Sequence, residues 1–207
     1  MWQANNSPLL PTPSIVWSGG IAKSKVVVGL DRDGVINQDL GTYCYSPTTF
    51  EPIPGSVEAV ARISAKGYSI VVITDQGGIE KGIYTQEDVD LTHDYMLRLF
   101  GEAGCLGIDA IYYSASSRKE DPFAKPNTGM FKRCESEHPH IRFKGGYYVG
   151  DKMKDLKAAM NIGARPVLVR TGYGAETEKE LQKFTYRKIK QRTIVFDNLA
   201  QFVESLA

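Results

Sequence analysis

The sequence predicts an α/β protein: a Rossmann-like three-layer sandwich around a mostly parallel central sheet, with no separate cap domain. Three observations carry that expectation. Short runs that are apolar at nearly every position recur along the chain, as strands covered on both faces require. Segments with apolar residues at helical spacing lie between them, the alternation that builds parallel crossovers. Polar clusters then follow the runs, where open α/β sheets bind their ligands.

Residues 1–24 are rich in Pro, Ser, Asn and Gly, show no period, and are expected to form an extended arm, with Trp2 and Trp17 available to dock on the body. Residues 25–207 are expected to form the one domain. "KVVVGL" (25–30) is the first strand, and a long loop with Pro47, Pro52, Pro54 and Gly55 follows it. "SVEAVARISAKG" has helical spacing and stops at Gly67. "YSIVVIT" (68–74) is the second strand, and Thr85 caps the helix that begins "QEDVDLTHDYMLRLF", whose early acids suit the helix dipole. "GIDAIYYS" (107–114) is the third strand, before a helix over 127–138. "GYYVG" (146–150) is the fourth, before "DKMKDLKAAMNIG", a helix closed by Gly163. "RPVLVR" (165–170), a helix over 175–184, "TIVF" (193–196) and "DNLAQFVESL" complete the set. There is no internal repeat.

A chain of 207 residues buries enough surface to hold a core without staples. Its net charge of +1 produces no field that would gather nucleic acid or an anionic membrane, so neither is expected as a partner, and a monomer is expected. No apolar run approaches the ~20 residues that span a bilayer. The N-terminus lacks a basic start followed by a continuous apolar stretch, which points to the cytoplasm. Cys44, Cys105 and Cys134 are odd in number and lack CxxC spacing, as reduced thiols would be. His93, His138 and His140 are expected on surfaces, the Tyr-rich pieces "TYCY" and "IYYS" in packing, and the basic run "YRKIKQR" on a solvated face.

Chemistry is concentrated after the strands. Asp31, Arg32, Asp33 and Gly34 follow the first; Thr74, Asp75, Gln76, Gly77 and Gly78 end and follow the second. Lys125 and Pro126 lie in the loop beyond the third, and Asp151, Lys152 and Asp155 follow the fourth. Carboxylates that converge in a dry pocket need a cation or protons. Mg²⁺ usually takes one or two protein carboxylates and keeps positions for water and phosphate. Asp31 and Asp151 suit it, with the backbone carbonyl of Asp33 as a third ligand. Thr74 and Lys125 would hold the remaining phosphoryl oxygens. Asp31 can act as nucleophile, Asp33 can give and take the proton, and Gly34 permits a tight turn beside the phosphate. Asp155, one helical turn past Asp151, either supports the metal site or faces water. Lys152 is either at the site's edge or a surface lysine.

The order of these motifs resembles the haloacid dehalogenase-like superfamily of aspartate-dependent phosphohydrolases, over about residues 25–200. "LDRDGVINQD", "VVITDQGGIEKG", "KPNTGMF" and "VGDKMKDLKAAMNIGARPVLVRTGYG" are similar to its small capless branch of histidinol and heptose bisphosphate phosphatases, with the heptose type nearer. The resemblance implies Asp31 as nucleophile, Asp33 as acid/base, Thr74 and Lys125 on the phosphoryl group, and Mg²⁺ on Asp31, Asp33 and Asp151. It also implies a substrate pocket lined by Arg32, Asp39, Thr42, Asp75, Gln76, Gly77 and Lys152. The implied reaction is Mg²⁺-dependent hydrolysis of a small phosphorylated sugar through an aspartyl-phosphate. The implied substrate is D-glycero-D-manno-heptose 1,7-bisphosphate, cleaved at C1 during heptose synthesis for surface glycans such as lipopolysaccharide. Histidinol phosphate or another small phosphomonoester is the alternative, and an inactive phosphate-binding protein is the rival.

Three departures from the branch matter. Its zinc loop is replaced by "YYSASSRKEDPFAKP", which has neither Cys nor His, so no zinc is expected. Its Arg before the lysine is Ala124 here, with Arg118 or Lys119 as candidate replacements. Its usual Asn after the Thr is Asp75, which accepts hydrogen bonds but donates none when ionised, and places negative charge near a phosphate.

Overall fold

In the computed structural model, which describes residues 26–39 and 41–207, every apolar run is a strand. These are β1 (Val27–Leu30), β2 (Ser69–Asp75), β3 (Ala110–Ser114), β4 (Tyr147–Gly150), β5 (Arg165–Val169) and β6 (Ile194–Phe196). The helices are α1 (Ser56–Ala65), α2 (Gln86–Glu102), α3 (Gly129–Glu137), α4 (Met153–Ile162), α5 (Gly174–Glu180), α6 (Arg187–Lys190) and α7 (Leu199–Glu204). The expected arm over 1–24, with Trp2 and Trp17, lies outside the described residues.

The strands form one sheet in the order β3-β2-β1-β4-β5-β6, and every pairing is parallel, where the sequence reading had allowed a mixed sheet. The chain builds outward from β1 to β3, then crosses to β4 on the other side of β1. This strand order leaves a crevice at the carboxyl ends of β1 and β4, where ligands bind in such sheets. Asp31 and Asp151 are the next residues after those two strands.

Successive strand residues face opposite layers. Val28, Leu30, Ile70 and Val72 pack with Val60, Met96, Phe100 and Phe202 of α1, α2 and α7. Val71, Ile73 and Tyr148 pack with Met130, Phe131 and Ala158 of α3 and α4 on the other face. Gly29 in β1 admits the Tyr148 ring, because a Cβ there would lie 2.7 Å from ring carbon Cδ2. The described residues between β1 and α1 form no inserted domain, and isolated bridges join Asn37 to Asp33 and to Pro52.

Most boundaries follow local chemistry. Thr85 caps α2 through a reciprocal box with Asp88, and Gly163 closes α4 at φ 75°. The third strand starts at Ala110 rather than at residue 107, since the Asp109 carboxylate accepts the Ile70 N–H at 2.8 Å in place of a ladder bond. The helix expected over 175–184 ends at Glu180, because Lys183 is extended; a 3₁₀ turn (Phe184–Tyr186) and α6 follow. No residue of α6 is buried, as a solvated basic run requires. All three cysteines are buried free thiols, and Tyr112 and Tyr113 are core residues. No helix among the described residues is long and apolar enough to cross a membrane.

His93 is a correction. It was expected on a surface but is wholly buried on the core face of α2, packed edge-on against Tyr113, with Nε2 3.3 Å from Nη1 of Arg32. A guanidinium only donates, so Nε2 accepts and the ring is neutral. Burial, reinforced by Arg32, holds the pKa of His93 well below its usual 6.5. The unfolded chain therefore takes up a proton below about pH 6.5 that the native state refuses, and stability falls from there downward, by up to ~1.4 kcal/mol per pH unit. Urea midpoints at about pH 7.5 and about pH 5.5 should separate more for the native sequence than for His93→Gln. Equal separations would refute this account.

Candidate active site

Asp31, Lys125, Asp151 and Asp155 converge at the crevice, and all are buried. Nζ of Lys125 lies 2.8 Å from Oδ1 of Asp31 and 2.7 Å from Oδ1 of Asp155. The same ammonium donates to the Ile73 carbonyl at 3.3 Å and to the Tyr148 hydroxyl at 3.2 Å, and that hydroxyl in turn donates to Ile73 O at 2.7 Å. Burial alone would lower the pKa of Lys125, but Asp155 and Asp31 outweigh it and keep the ammonium well above its ordinary range. Burial would raise Asp31, yet Lys125, helped by Lys154 and Lys152, brings it below the usual value and so keeps it ionised. Oδ1 of Asp31 also accepts the Arg32 N–H at 2.8 Å.

Asp155 does not face water. Its Oδ2 accepts the Lys152 N–H at 3.0 Å, which closes the first turn of α4, while Oδ1 holds Lys125. It is a positioning residue for Lys125, and its place in the first turn of α4, four residues past Asp151, was the sequence signal.

Asp33 belongs to a second network. Its carboxylate accepts from Arg32 Nη2 at 3.0 Å and 3.1 Å, from Asn37 Nδ2 at 2.9 Å and from Gln76 Nε2 at 3.1 Å. Gln76 also donates to the Thr74 hydroxyl at 3.0 Å and accepts from the Tyr84 hydroxyl at 2.9 Å. The expected roles of Arg32 and Asp33 shift accordingly. Arg32 is fully buried and also donates to the Cys44 carbonyl at 2.6 Å, so its guanidinium is engaged by protein groups beneath Asp33. The Asp33 side chain does not join the carboxylate cluster of Asp31, Asp151 and Asp155, which leaves its backbone carbonyl as the atom for a metal.

A polar pocket of about 400 Å³ opens above these groups, lined among others by Asp33, Asp39, Thr42, Gln76, Gly77 and Tyr173. Lys152 crosses it to Asp39 at 2.7 Å and stands over the Tyr173 ring, so it belongs to the site and not to the outer surface. Asp75 is paired with Lys154 at 2.7 Å, which neutralises the charge expected to oppose a phosphate. Arg118 pairs with Glu80 instead, and neither it nor Lys119 is among the pocket's lining residues. Lys154 was missed, because a lysine in the first turn of a helix looks like any solvated residue.

The residues fit a divalent cation. Asp31, Asp151 and Asp155 each bring a carboxylate oxygen within 4.8 Å of the others. Oδ1 of Asp151 is buried without a hydrogen-bond partner among the described residues, an orphan that a hard cation would satisfy. Burial, together with Asp155 and Asp31, pushes the Asp151 carboxyl up to about 8, the mark of excess negative charge. Its Oδ2 accepts the Tyr173 N–H at 2.8 Å. Gly34, at φ 86°, leaves room for it, since a Cβ there would fall 2.2 Å from that oxygen.

A parallel sheet whose first strand delivers Asp31 to a buried lysine, next to a carboxylate from the end of the fourth with one unpartnered oxygen, has the build of a phosphohydrolase of the haloacid dehalogenase type. The comparisons agree: the chain belongs to that family and is a phosphatase. The HAD-hydrolase-like family model matches residues 122–202. A Pseudomonas putida protein named D-glycero-beta-D-manno-heptose-1,7-bisphosphate 7-phosphatase is 37% identical over 177 residues, covering 86% of this chain and 97% of that one. The solved D,D-heptose 1,7-bisphosphate phosphatase from B. bronchiseptica, complexed with magnesium and phosphate, superposes with a TM-score of 0.78 at 30% identity, over 86% of this chain and 96% of its own. The enzyme of that name from Burkholderia thailandensis gives 0.64 at 31%, with the same two coverages.

Proposed function

We propose that the chain is a Mg²⁺-dependent phosphomonoesterase that removes the C7 phosphate of a D-glycero-D-manno-heptose 1,7-bisphosphate through an aspartyl-phosphate. The observation that carries the chemistry is the 2.8 Å contact between Lys125 and Asp31 beneath a polar pocket. The substrate rests on the names of relatives matched over nearly their whole length. Those names say 7-phosphatase, so the sequence expectation of C1 is replaced by C7.

Asp31 and Asp151, with the Asp33 carbonyl, would hold Mg²⁺, which when bound supplies the positive charge that lets these carboxylates share the site with a phosphate. Both side-chain contacts of Asp31 described above fall on Oδ1, which leaves Oδ2 to attack phosphorus. As that bond forms, the bond from phosphorus to the sugar oxygen breaks, and Asp33 gives the leaving oxygen a proton. Asp33 then takes a proton from water, the water oxygen attacks phosphorus, and the acyl-phosphate bond breaks to release phosphate and free Asp31. Thr74 and Lys125 hold phosphoryl oxygens throughout. Donors from Arg32, Asn37 and Gln76 fix Asp33 for both proton transfers.

Phosphate release from heptose 1,7-bisphosphate, histidinol phosphate and an aryl phosphate tests this reading, with Mg²⁺ and with EDTA. The expected result is fastest release from the bisphosphate, a sugar 1-phosphate as product by ³¹P NMR, and loss of activity in EDTA. A bisphosphate rate no better than the aryl rate would remove the substrate, and undiminished turnover in EDTA would remove the metal. Silence on all three would favour a phosphate-binding protein.

A further inference from the structure

The pocket wall holds two charge pairs that this chemistry does not use, Lys152 with Asp39 and Lys154 with Asp75. Lys154, in the first turn of α4, lies with Nζ 2.7 Å from Oδ2 of Asp75, the last residue of β2. The other oxygen of Asp75 accepts the backbone N–H of Lys125 at 3.1 Å, and the side chain of Asp75 is only 2% exposed. Both of its oxygens are therefore engaged. The side chain of Lys154 is 32% exposed and lines the pocket. An ammonium has three donors, and Asp75 takes one. Of the neighbouring positions, Lys152 is held between Asp39 and the Tyr173 ring, Ala124 is buried and has no side-chain donor, and Arg118 is turned to Glu80.

We propose that Lys154, aimed by Asp75, is a specificity-determining residue that binds the anionic group of the substrate that is not transferred, so that a sugar bisphosphate is favoured over a monophosphate. The inference rests on the phosphatase reading of this site. The transferred phosphoryl group is already served by Lys125 and Thr74 in the buried floor, whereas Lys154 stands on the wall. Pairing with Asp75 holds its ammonium in place before substrate arrives, which reduces the ordering cost of binding. The Asp found where the family usually has Asn thus acts through Lys154.

The test compares Lys154→Gln, Lys154→Arg and Asp75→Asn with the native sequence on heptose 1,7-bisphosphate and on an aryl phosphate. Lys154→Gln should raise KM for the bisphosphate about tenfold or more, and because any weaker support of Asp31 lowers both activities alike, the ratio of bisphosphate to aryl phosphate kcat/KM should fall about tenfold. Lys154→Arg should restore most of the bisphosphate affinity, and Asp75→Asn should shift KM in the same direction by less. Equal losses on both substrates, or an unchanged ratio between them, would overturn the proposal. If the native enzyme prefers the bisphosphate and Lys154→Gln leaves that preference intact, the inference fails alone. If the native enzyme has no such preference, the inference fails together with the proposed substrate.

Discussion

Asp31→Asn is expected to lower phosphate release by at least ~10⁴-fold on every substrate, with the fold intact. An amide is a far poorer nucleophile than a carboxylate, and among the described residues Asp31 is the carboxylate at the end of β1 beside Lys125. The substitution removes one negative charge beside Lys125, which keeps its partner Asp155. The fold favours the charged form of Asp31, so melting without Mg²⁺ should fall modestly yet stay a single cooperative transition, which separates chemical loss from misfolding. Turnover near that of the native enzyme in a properly melting Asp31→Asn protein would rule out the covalent route.

Lys125→Met should be the most damaging single change for stability. The lysine side chain is fully buried between Asp31 and Asp155, whose side chains are 5% and 0% exposed. Removing one partner of a buried ionic cluster strands the others, at a cost of about 3–5 kcal/mol. Lys125→Met/Asp155→Asn should recover much of that loss, because it removes a stranded charge along with the cation. Both proteins should be inactive. Urea denaturation in EDTA gives the numbers, and two single losses that simply add in the double variant would show that Lys125 and Asp155 do not depend on each other.

Arg32 and His93 show where reading along the chain stops. Arg32 stands between two functional aspartates and so looks like a substrate contact, yet it is buried with its donors on Asp33, the Cys44 carbonyl and Gln76. Nothing local marks a charged residue for the interior; that depends on His93 and Gln76 arriving from α2 and from the loop after β2 to meet it. His93 did carry a signal, since Val89, His93, Met96 and Phe100 fall at helical spacing on one buried face. Asp75 is the opposite case. Its charge was visible and its partner was not, because Lys154 is 79 residues away.

By itself, the sequence determined where the strands fall and the motif ends that carry Asp31, Thr74 and Asp151, since periodicity, capping and turn chemistry act over a few neighbouring residues. The tertiary structure alone decided which charges meet: Lys125 with Asp155, Asp33 with Arg32, Asp75 with Lys154. The physical reason is range. Backbone preference is settled within a helical turn or a strand, whereas a buried charge takes its role from whichever counter-charge the fold brings within about 3 Å.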